Sequence, residues 1–362
     1  MITQLTSESQ AMVLQGHPLP SPSQILHELP TSLSQKTFIE KTRQEIRNIL
    51  DGQDPRLLLI VGPCSIHDVE TAKQYASQLH KLSQSLSDSF LIVMRAHLEK
   101  PRTTTGWKGL LYDPLLDGSH EIETGLRWSR QLLLDLAHLE MPIATEFLDP
   151  SIASYLGDLV SWGCIGARTT SSQIHRQLAS GLAMPIAFKN NTDGNVETAI
   201  HSVLSASEPH AYIGINISGQ ISTMHSKGNP HAHIVLRGGK NQTNYDPYSI
   251  SQAIEQLERA SLPLRLLIDC AHGNSLRKYE EQCRVFQSVI NQVVEGNDKI
   301  RGMILESYLL AGNQIMTDDP TQLDGALSIT DPCLDWPATE TLLKWGAEML
   351  RTENRTSCLI SL

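Results

Sequence analysis

The sequence predicts an α/β protein, a (β/α)8 TIM barrel with an N-terminal extension and an inserted β-hairpin near strand six. Three observations carry this. Eight short apolar segments recur between residues 57 and 305, amphipathic segments with helix-start signals separate them, and a polar residue follows each apolar segment. Apolar runs of four to eight residues without alternation suit strands buried on both faces, as in parallel sheets. Eight such units match the closure number of the barrel, which needs about 250 residues plus extensions; the chain has 362.

Residues 1–50 are polar and proline-bearing (His17-Pro18-Leu19-Pro20-Ser21-Pro22), with a helix expected from Ser34 to Leu50. They read as an arm outside the barrel, used in oligomer contacts, with the barrel spanning 51–362. The apolar runs follow at Leu57–Gly62, Leu91–Ala96, Pro142–Phe147, Cys164–Ala167 and Pro185–Phe188. Next come Ala211–Ile217 with His233–Leu236 (counted as one unit), Arg265–Cys270 and Gly302–Leu305. Helix starts are marked by Asp68, by Asp149-Pro150, by a Thr170-x-x-Gln173 capping box and by Asp193. Two stretches exceed the minimal repeat. Residues 99–119 form a long loop after strand two, and residues 211–236 predict a hairpin with a Ser218-Gly219 turn. Long loops in a compact domain are usually functional.

Composition excludes several classes. A net charge of −10 speaks against a nucleic-acid surface. The longest apolar run, Leu57–Val61, is far too short to span a bilayer, and Met1-Ile2-Thr3-Gln4 does not begin a secretory signal. Six cysteines at 64, 164, 270, 283, 333 and 358 form no C-x-x-C pair. The expected compartment is cytoplasmic, with no membrane partner.

In a barrel of this kind catalytic residues sit at the C-terminal strand ends. There the sequence offers Cys64, Arg95, Glu146, Arg168, Lys189, Arg237, His272 and Glu306, with Asp331 on the loop beyond. Cys64, His272, Glu306 and Asp331 form the mixed donor set of a divalent transition metal. Cys64 alone would read as an apolar filler and His272 as a core histidine; their convergence on neighbouring strand ends favours a metal. Arg95, Lys100, Arg102, Arg168, Lys189 and Arg237 form a cation group. Cations buried in a core need anionic partners, and arginine forks match phosphate and carboxylate, so multiply anionic ligands are implied. Gly166, Gly238 and Gly239 permit close backbone approach.

At these residues the chain resembles the microbial class I 3-deoxy-D-arabino-heptulosonate 7-phosphate (DAHP) synthases of the shikimate pathway. The matching segments include Gly62-Pro63-Cys64-Ser65-Ile66-His67-Asp68, Glu99-Lys100-Pro101-Arg102-Thr103-Thr104 and Thr145-Glu146-Phe147-Leu148-Asp149. Gly166-Ala167-Arg168-Thr169-Thr170, Leu236-Arg237-Gly238-Gly239, His272-Gly273-Asn274-Ser275 and Ser328-Ile329-Thr330-Asp331 continue the match in order. The resemblance implies condensation of phosphoenolpyruvate with erythrose 4-phosphate and water. It implies a divalent metal (manganese, iron, cobalt or zinc) on Cys64, His272, Glu306 and Asp331. Phosphoenolpyruvate would lie on Arg95, Lys100, Arg168, Lys189 and Arg237, and the aldose on Lys100, Pro101, Arg102 and Thr103. Lys100, Glu146 and His272 would carry catalytic roles, with Glu146 positioning the water. Partners would be small phosphorylated substrates and further copies of the chain, as a homodimer or homotetramer.

The chain also departs from this family. Ala96-His97-Leu98 stands where Val-Tyr-Phe is usual, Ser171 replaces a glutamate and Asn191 a glycine. Feedback-inhibited relatives commonly carry Ser-Cys-Pro-Val-Gly where this chain has Ala183-Met184-Pro185-Ile186-Ala187, and a usual Pro-Gln pair is Ala153-Ser154. Weak or altered inhibition by Phe, Tyr and Trp is expected. Two alternatives stand beside this reading: the sister condensation with arabinose 5-phosphate, and a non-catalytic effector-binding paralogue.

Overall fold

The computed structural model describes residues 16–317 and 319–360, with side chains as far as residue 352. Eight strands close one parallel barrel. In chain order they are β1 (Leu57–Gly62), β2 (Phe90–Arg95), β3 (Ile143–Glu146), β4 (Trp162–Ile165), β5 (Ile186–Lys189), β8 (His233–Leu236), β9 (Leu266–Asp269) and β10 (Ile300–Glu306). β1 pairs with both β2 and β10, which closes the ring. Nearly every strand residue is buried, because the barrel interior covers one face and the helices cover the other. The helices that follow strands include α3 (Val69–Ser85), α4 (Ile122–His138), α6 (Gln173–Gly181), α7 (Glu197–Ser207), α8 (Pro247–Arg259), α9 (Glu281–Val294) and α10 (Trp336–Ile360). The strands lie within one or two residues of the predicted runs, and all eight repeats are present.

The N-terminal segment corrects one expectation. Of the predicted arm, residues 1–15 lie outside the described residues. The remainder forms α1 (Pro22–Glu28) and α2 (Leu33–Leu50), each opened by a capping box, Ser21 with Gln24 and Ser32 with Gln35. Ile46, Ile49 and Leu50 join Leu58, Ile60, Val93, Trp162, Val235, Leu267 and Ile304 in one buried cluster. Because α2 leads into the start of β1, this contact plugs the N-terminal end of the barrel. The end of the arm is thus built into the barrel floor, and the open end is the one that carries the polar strand termini.

The sixth repeat differs as well. Ala211–Ile217 contributes nothing to the barrel. β6 (Ala211–Ile215) and β7 (Ile221–His225) form a separate antiparallel hairpin, and only β8 closes the ring. Its turn contains Ser218-Gly219, with Gly219 at φ 80° donating to the Asn216 carbonyl.

Among the helix starts, Asp68 caps α3 by accepting from the Thr71 amide. Asp149 accepts from the Ser151 amide at a short 3-10 turn. The Thr170–Gln173 capping box is absent: the Thr170 hydroxyl donates to the Gly166 and Lys189 carbonyls and ties β4 to β5 instead. Asp193 holds the loop through the Asn195 amide, and α7 starts after it.

Candidate active site

The C-terminal strand ends surround a cavity of about 230 Å³ lined by Arg95, Lys100–Thr105, Glu146, Arg168, Arg237, His272, Arg277, Glu306 and Asp331. Eleven of the thirteen residues expected at the site line it. Cys64 lies just beneath, and Lys189 reaches it through Asp269. Local strain accompanies the rim. His272 (φ 57°), Leu276 (φ 50°) and Arg277 (φ 63°) all adopt left-handed backbone, a costly conformation that clusters at functional sites. Gly238 (φ 70°) packs so tightly that a Cβ would fall 2.5 Å from the Gly273 carbonyl carbon, so the loops bearing Arg237 and His272 meet backbone to backbone.

Cys64 Sγ, a Glu306 oxygen and an Asp331 oxygen lie within 4.8 Å of one another. Lys100 Nζ sits among them, 2.6 Å from the sulfur and 3.5 Å from Asp331 Oδ2. Glu306 Oε1 is buried without a well-aligned donor, although Arg95 Nη2 stands 3.0 Å away. A thiol, two carboxylates and an orphaned carboxylate oxygen fit a divalent cation. Burial, reinforced by Glu306, pushes the Cys64 thiol up to about 12, so a bound cation is what would make it a thiolate. Asp331 is exposed by area (57 %), yet Lys100 first and then His272 hold its carboxyl well below the usual range.

His272 joins this group less directly than expected. Its Nε2 is 3.6 Å from Glu306 Oε1, while Nδ1 lies 2.9 Å from Asp269 Oδ2, off the line of a good hydrogen bond. Asp269 is the residue the sequence reading missed. It is fully buried at the end of β9 and also accepts from Lys189 Nζ at 2.7 Å. Burial alone would raise its carboxyl, but His272 and Lys189 keep it well below the carboxylate range. An orienting carboxylate behind a ligating histidine is a usual outer-shell arrangement.

The cations divide in two, which corrects the expectation that all six are buried and seek ligand anions. Arg95 has Glu306, Lys189 has Asp269, and Lys100 has Cys64 and Asp331. Protein groups already partner these three. Arg237 is buried (8 % exposed) yet makes no ion pair with a carboxylate among the described residues, and burial, helped by Arg277 and Arg168 and opposed by the more distant Asp269, lowers its pKa. Arg168 is exposed at the rim and donates to the Thr103 hydroxyl, at 3.2 Å. Arg102 is also exposed, donating to the Trp107 carbonyl. Arg277, on the strained loop after His272, lines the same cavity; it lies too far past the strand end for a strand-end search to find.

Glu146 borders the cavity, pressed against Gly166, where a Cβ would fall 2.0 Å from its Oε1. Pro101 and Thr103 line the cavity with Lys100. Below them Glu99 is buried, accepting from the Leu148 and Asp149 amides, and burial raises its carboxyl to about 8.

A closed barrel whose open end joins a thiol–carboxylate pocket to unpartnered arginines is a metal-binding enzyme site for multiply anionic substrates. Residues 30–344 match the DAHP synthetase I family. The chain is 47% identical over 326 residues to a Tyr-sensitive phospho-2-dehydro-3-deoxyheptonate aldolase of Salmonella typhimurium, covering 90% of this chain and 91% of that protein. It is 41% identical over 351 residues to a phospho-2-dehydro-3-deoxyheptonate aldolase of Corynebacterium glutamicum, covering 95% of each. The solved structure of phospho-2-dehydro-3-deoxyheptonate aldolase from Francisella tularensis SCHU S4 matches with a TM-score of 0.91 at 38% identity, covering 94% of this chain and 99% of that chain. The chain belongs to the DAHP synthetase I family. It is a transferase that condenses phosphoenolpyruvate with erythrose 4-phosphate, the first step of aromatic biosynthesis, and the family works with a divalent metal.

Proposed function

We propose that the two kinds of cation divide the work of this condensation. The observation that carries the reading is the group Arg168, Arg237 and Arg277, which line one cavity without an ion-paired carboxylate among the described residues. Unpaired arginines beside a buried cavity fit a phosphate in bidentate geometry. Phosphoenolpyruvate would lie with its phosphate on Arg168 and Arg237 and its carboxylate toward Arg95, Lys100 and Lys189. Lys100, Pro101, Arg102 and Thr103 would hold erythrose 4-phosphate against it, and holding both reactants at short range supplies much of the acceleration.

Cys64, His272, Glu306 and Asp331 would hold the metal, which when bound acts as a Lewis acid on the aldehyde oxygen. The enol C3 then forms a bond to the aldehyde carbon using the C2–C3 π electrons. Lys100, its ammonium form favoured over burial by Cys64 and Asp331, is placed to give a proton to the new alkoxide. Glu146 orients water for addition at C2 and takes one of its protons; as the C2–O bond to phosphate breaks, the new C2 hydroxyl becomes the ketone and its proton leaves with the phosphate. His272, held by Asp269, keeps the imidazole toward the reacting oxygen. The native metal is manganese, iron, cobalt or zinc, since thiolate with carboxylates accepts each.

The other expectations have their own support. No helix among the described residues is long and apolar enough to cross a membrane. Cys64, Cys164, Cys270, Cys283 and Cys333 are free thiols, which suits the reducing cytoplasm. Ile213 and Ile221 are each 81 % exposed on the β6–β7 hairpin, beside α1, where Ser23 donates to the Ile217 carbonyl. Such a patch suits the subunit contact of a homodimer or homotetramer. Ala183 stands where inhibited relatives carry a hydroxyl, which supports weak or altered inhibition by aromatic amino acids.

The test is phosphate release by metal-reconstituted protein supplied with phosphoenolpyruvate and either erythrose 4-phosphate or arabinose 5-phosphate. Turnover with the four-carbon aldose alone is expected. Equal or faster turnover with the five-carbon aldose, or none with either, would overturn the reading.

A further inference from the structure

A second set of metal-ligating side chains lies beneath the cavity, sharing no residue with the first. His97 follows β2, Glu146 ends β3 and Cys164 lies in β4. All three are buried, at 3 %, 8 % and 1 % exposed. One nitrogen, one carboxylate oxygen and one sulfur lie within 4.8 Å of each other, and His97 Nδ1 to Glu146 Oε2 spans 3.8 Å. His97 Nδ1 faces the Glu146 carboxylate, and Cys164 is a free, buried thiol. Buried polar atoms normally find partners; here they converge on one another.

We propose that His97, Glu146 and Cys164 form a second divalent-cation site, selective for a zinc-like ion. Nitrogen, oxygen and sulfur together suit zinc or cobalt and disfavour magnesium or calcium. Bonds of about 2.0–2.3 Å in a tetrahedron give donor separations of roughly 3.3–3.7 Å. The observed spacing is a little wider, so modest side-chain movement closes the site. Glu146 borders the cavity, leaving the fourth position open toward it. Charge decides the stoichiometry of ligands. Arg95, Lys189 and Lys100 surround His97 and would repel an uncompensated cation, but the Glu146 carboxylate and a Cys164 thiolate neutralise it. The same cations, after burial, keep the imidazole uncharged and able to ligate. Binding releases the Cys164 thiol proton to solvent. His97 stands where tyrosine is usual in this family, so the site is a property of this chain.

Zinc content of the full-length protein, stripped with chelator, reloaded with zinc and gel-filtered, tests the proposal. Wild type is expected to retain two equivalents, and Cys164→Ala, His97→Tyr and Cys64→Ala one each. Cobalt loading of Cys64→Ala should give a near-ultraviolet thiolate-to-cobalt band that disappears when Cys164→Ala is added. One equivalent in wild type, or two in Cys164→Ala, would overturn the site; this pair decides even if Cys64→Ala fails to fold. Turnover is a separate readout that rests on the proposed water-positioning role of Glu146. The second equivalent should slow wild type about tenfold or more and leave Cys164→Ala unaffected. Two bound equivalents without slowing would leave the site standing and overturn the role given to Glu146.

Discussion

The wall formed by β1, β2, β5, β9 and β10, with the start of the loop after β2, and the rim formed by the loops after β4, β8 and β9 both carry cations, yet they treat them oppositely. On the wall each cation has an anionic protein partner: Arg95 with Glu306, Lys189 with Asp269, Lys100 with Cys64 and Asp331. On the rim Arg168, Arg237 and Arg277 have none among the described residues. Paired charges are held in one geometry before any ligand arrives, while unpaired ones gain most from an incoming anion. On the proposed reading the wall sets positions for the chemistry, and the rim supplies affinity.

The sharpest way to break this division is on the wall. Cys64→Ala should reduce phosphate release to background and remove the metal held with Glu306 and Asp331. Unchanged turnover in that variant would remove the metal assignment. Asp269→Asn comes next. It leaves Lys189 buried beside a neutral amide and frees His272, so a stability loss of about 3–5 kcal/mol is expected by urea unfolding. Affinity for the catalytic metal should also fall about 10- to 100-fold, as for other outer-shell partners. A purely structural role for Asp269 would lower the urea midpoint and leave metal affinity intact.

Asp269 also marks the limit of what the sequence reveals. The strands were legible because a parallel barrel buries both faces, and strand-end residues such as Cys64, Arg95 and Glu306 stand out against apolar runs. Asp269 sits inside such a run, Leu266-Leu267-Ile268-Asp269-Cys270, with nothing local to show that it faces Lys189 and His272 from other positions in the ring. The split among the cations was hidden for the same reason, since pairing is a tertiary property. So was the use of Ile46, Ile49 and Leu50 to plug the floor: an amphipathic helix announces an apolar face but not what it covers. The capping box at Thr170 failed because the hydroxyl found a stronger tertiary use across β4 and β5.

A milder effect is expected at Glu99, below the substrate loop. Its carboxyl is raised by burial from 4.5 to about 8, so the folded protein keeps a proton that the unfolded chain has lost across that window. Its contribution to stability is full below pH 4.5 and is lost as pH rises through about 8. Glu99→Gln should therefore flatten the decline in melting temperature over this range. An unaltered pH profile would contradict that protonation. Smallest of all is the response to effectors: Phe, Tyr and Trp should each leave turnover nearly unchanged at micromolar concentration. Half-maximal inhibition in that range would show that the drift at Ala183–Ala187 has not disabled the pocket.

The division between wall and rim is tested most directly by calorimetric titration of phosphoenolpyruvate into wild type and Arg237→Ala. Removing one unpartnered arginine from a phosphate should weaken binding about 10- to 100-fold, the equivalent of roughly 1.5–3 kcal/mol, with unfolding stability unchanged. Equal affinity in the two proteins, or a loss of stability without a loss of affinity, would contradict the account.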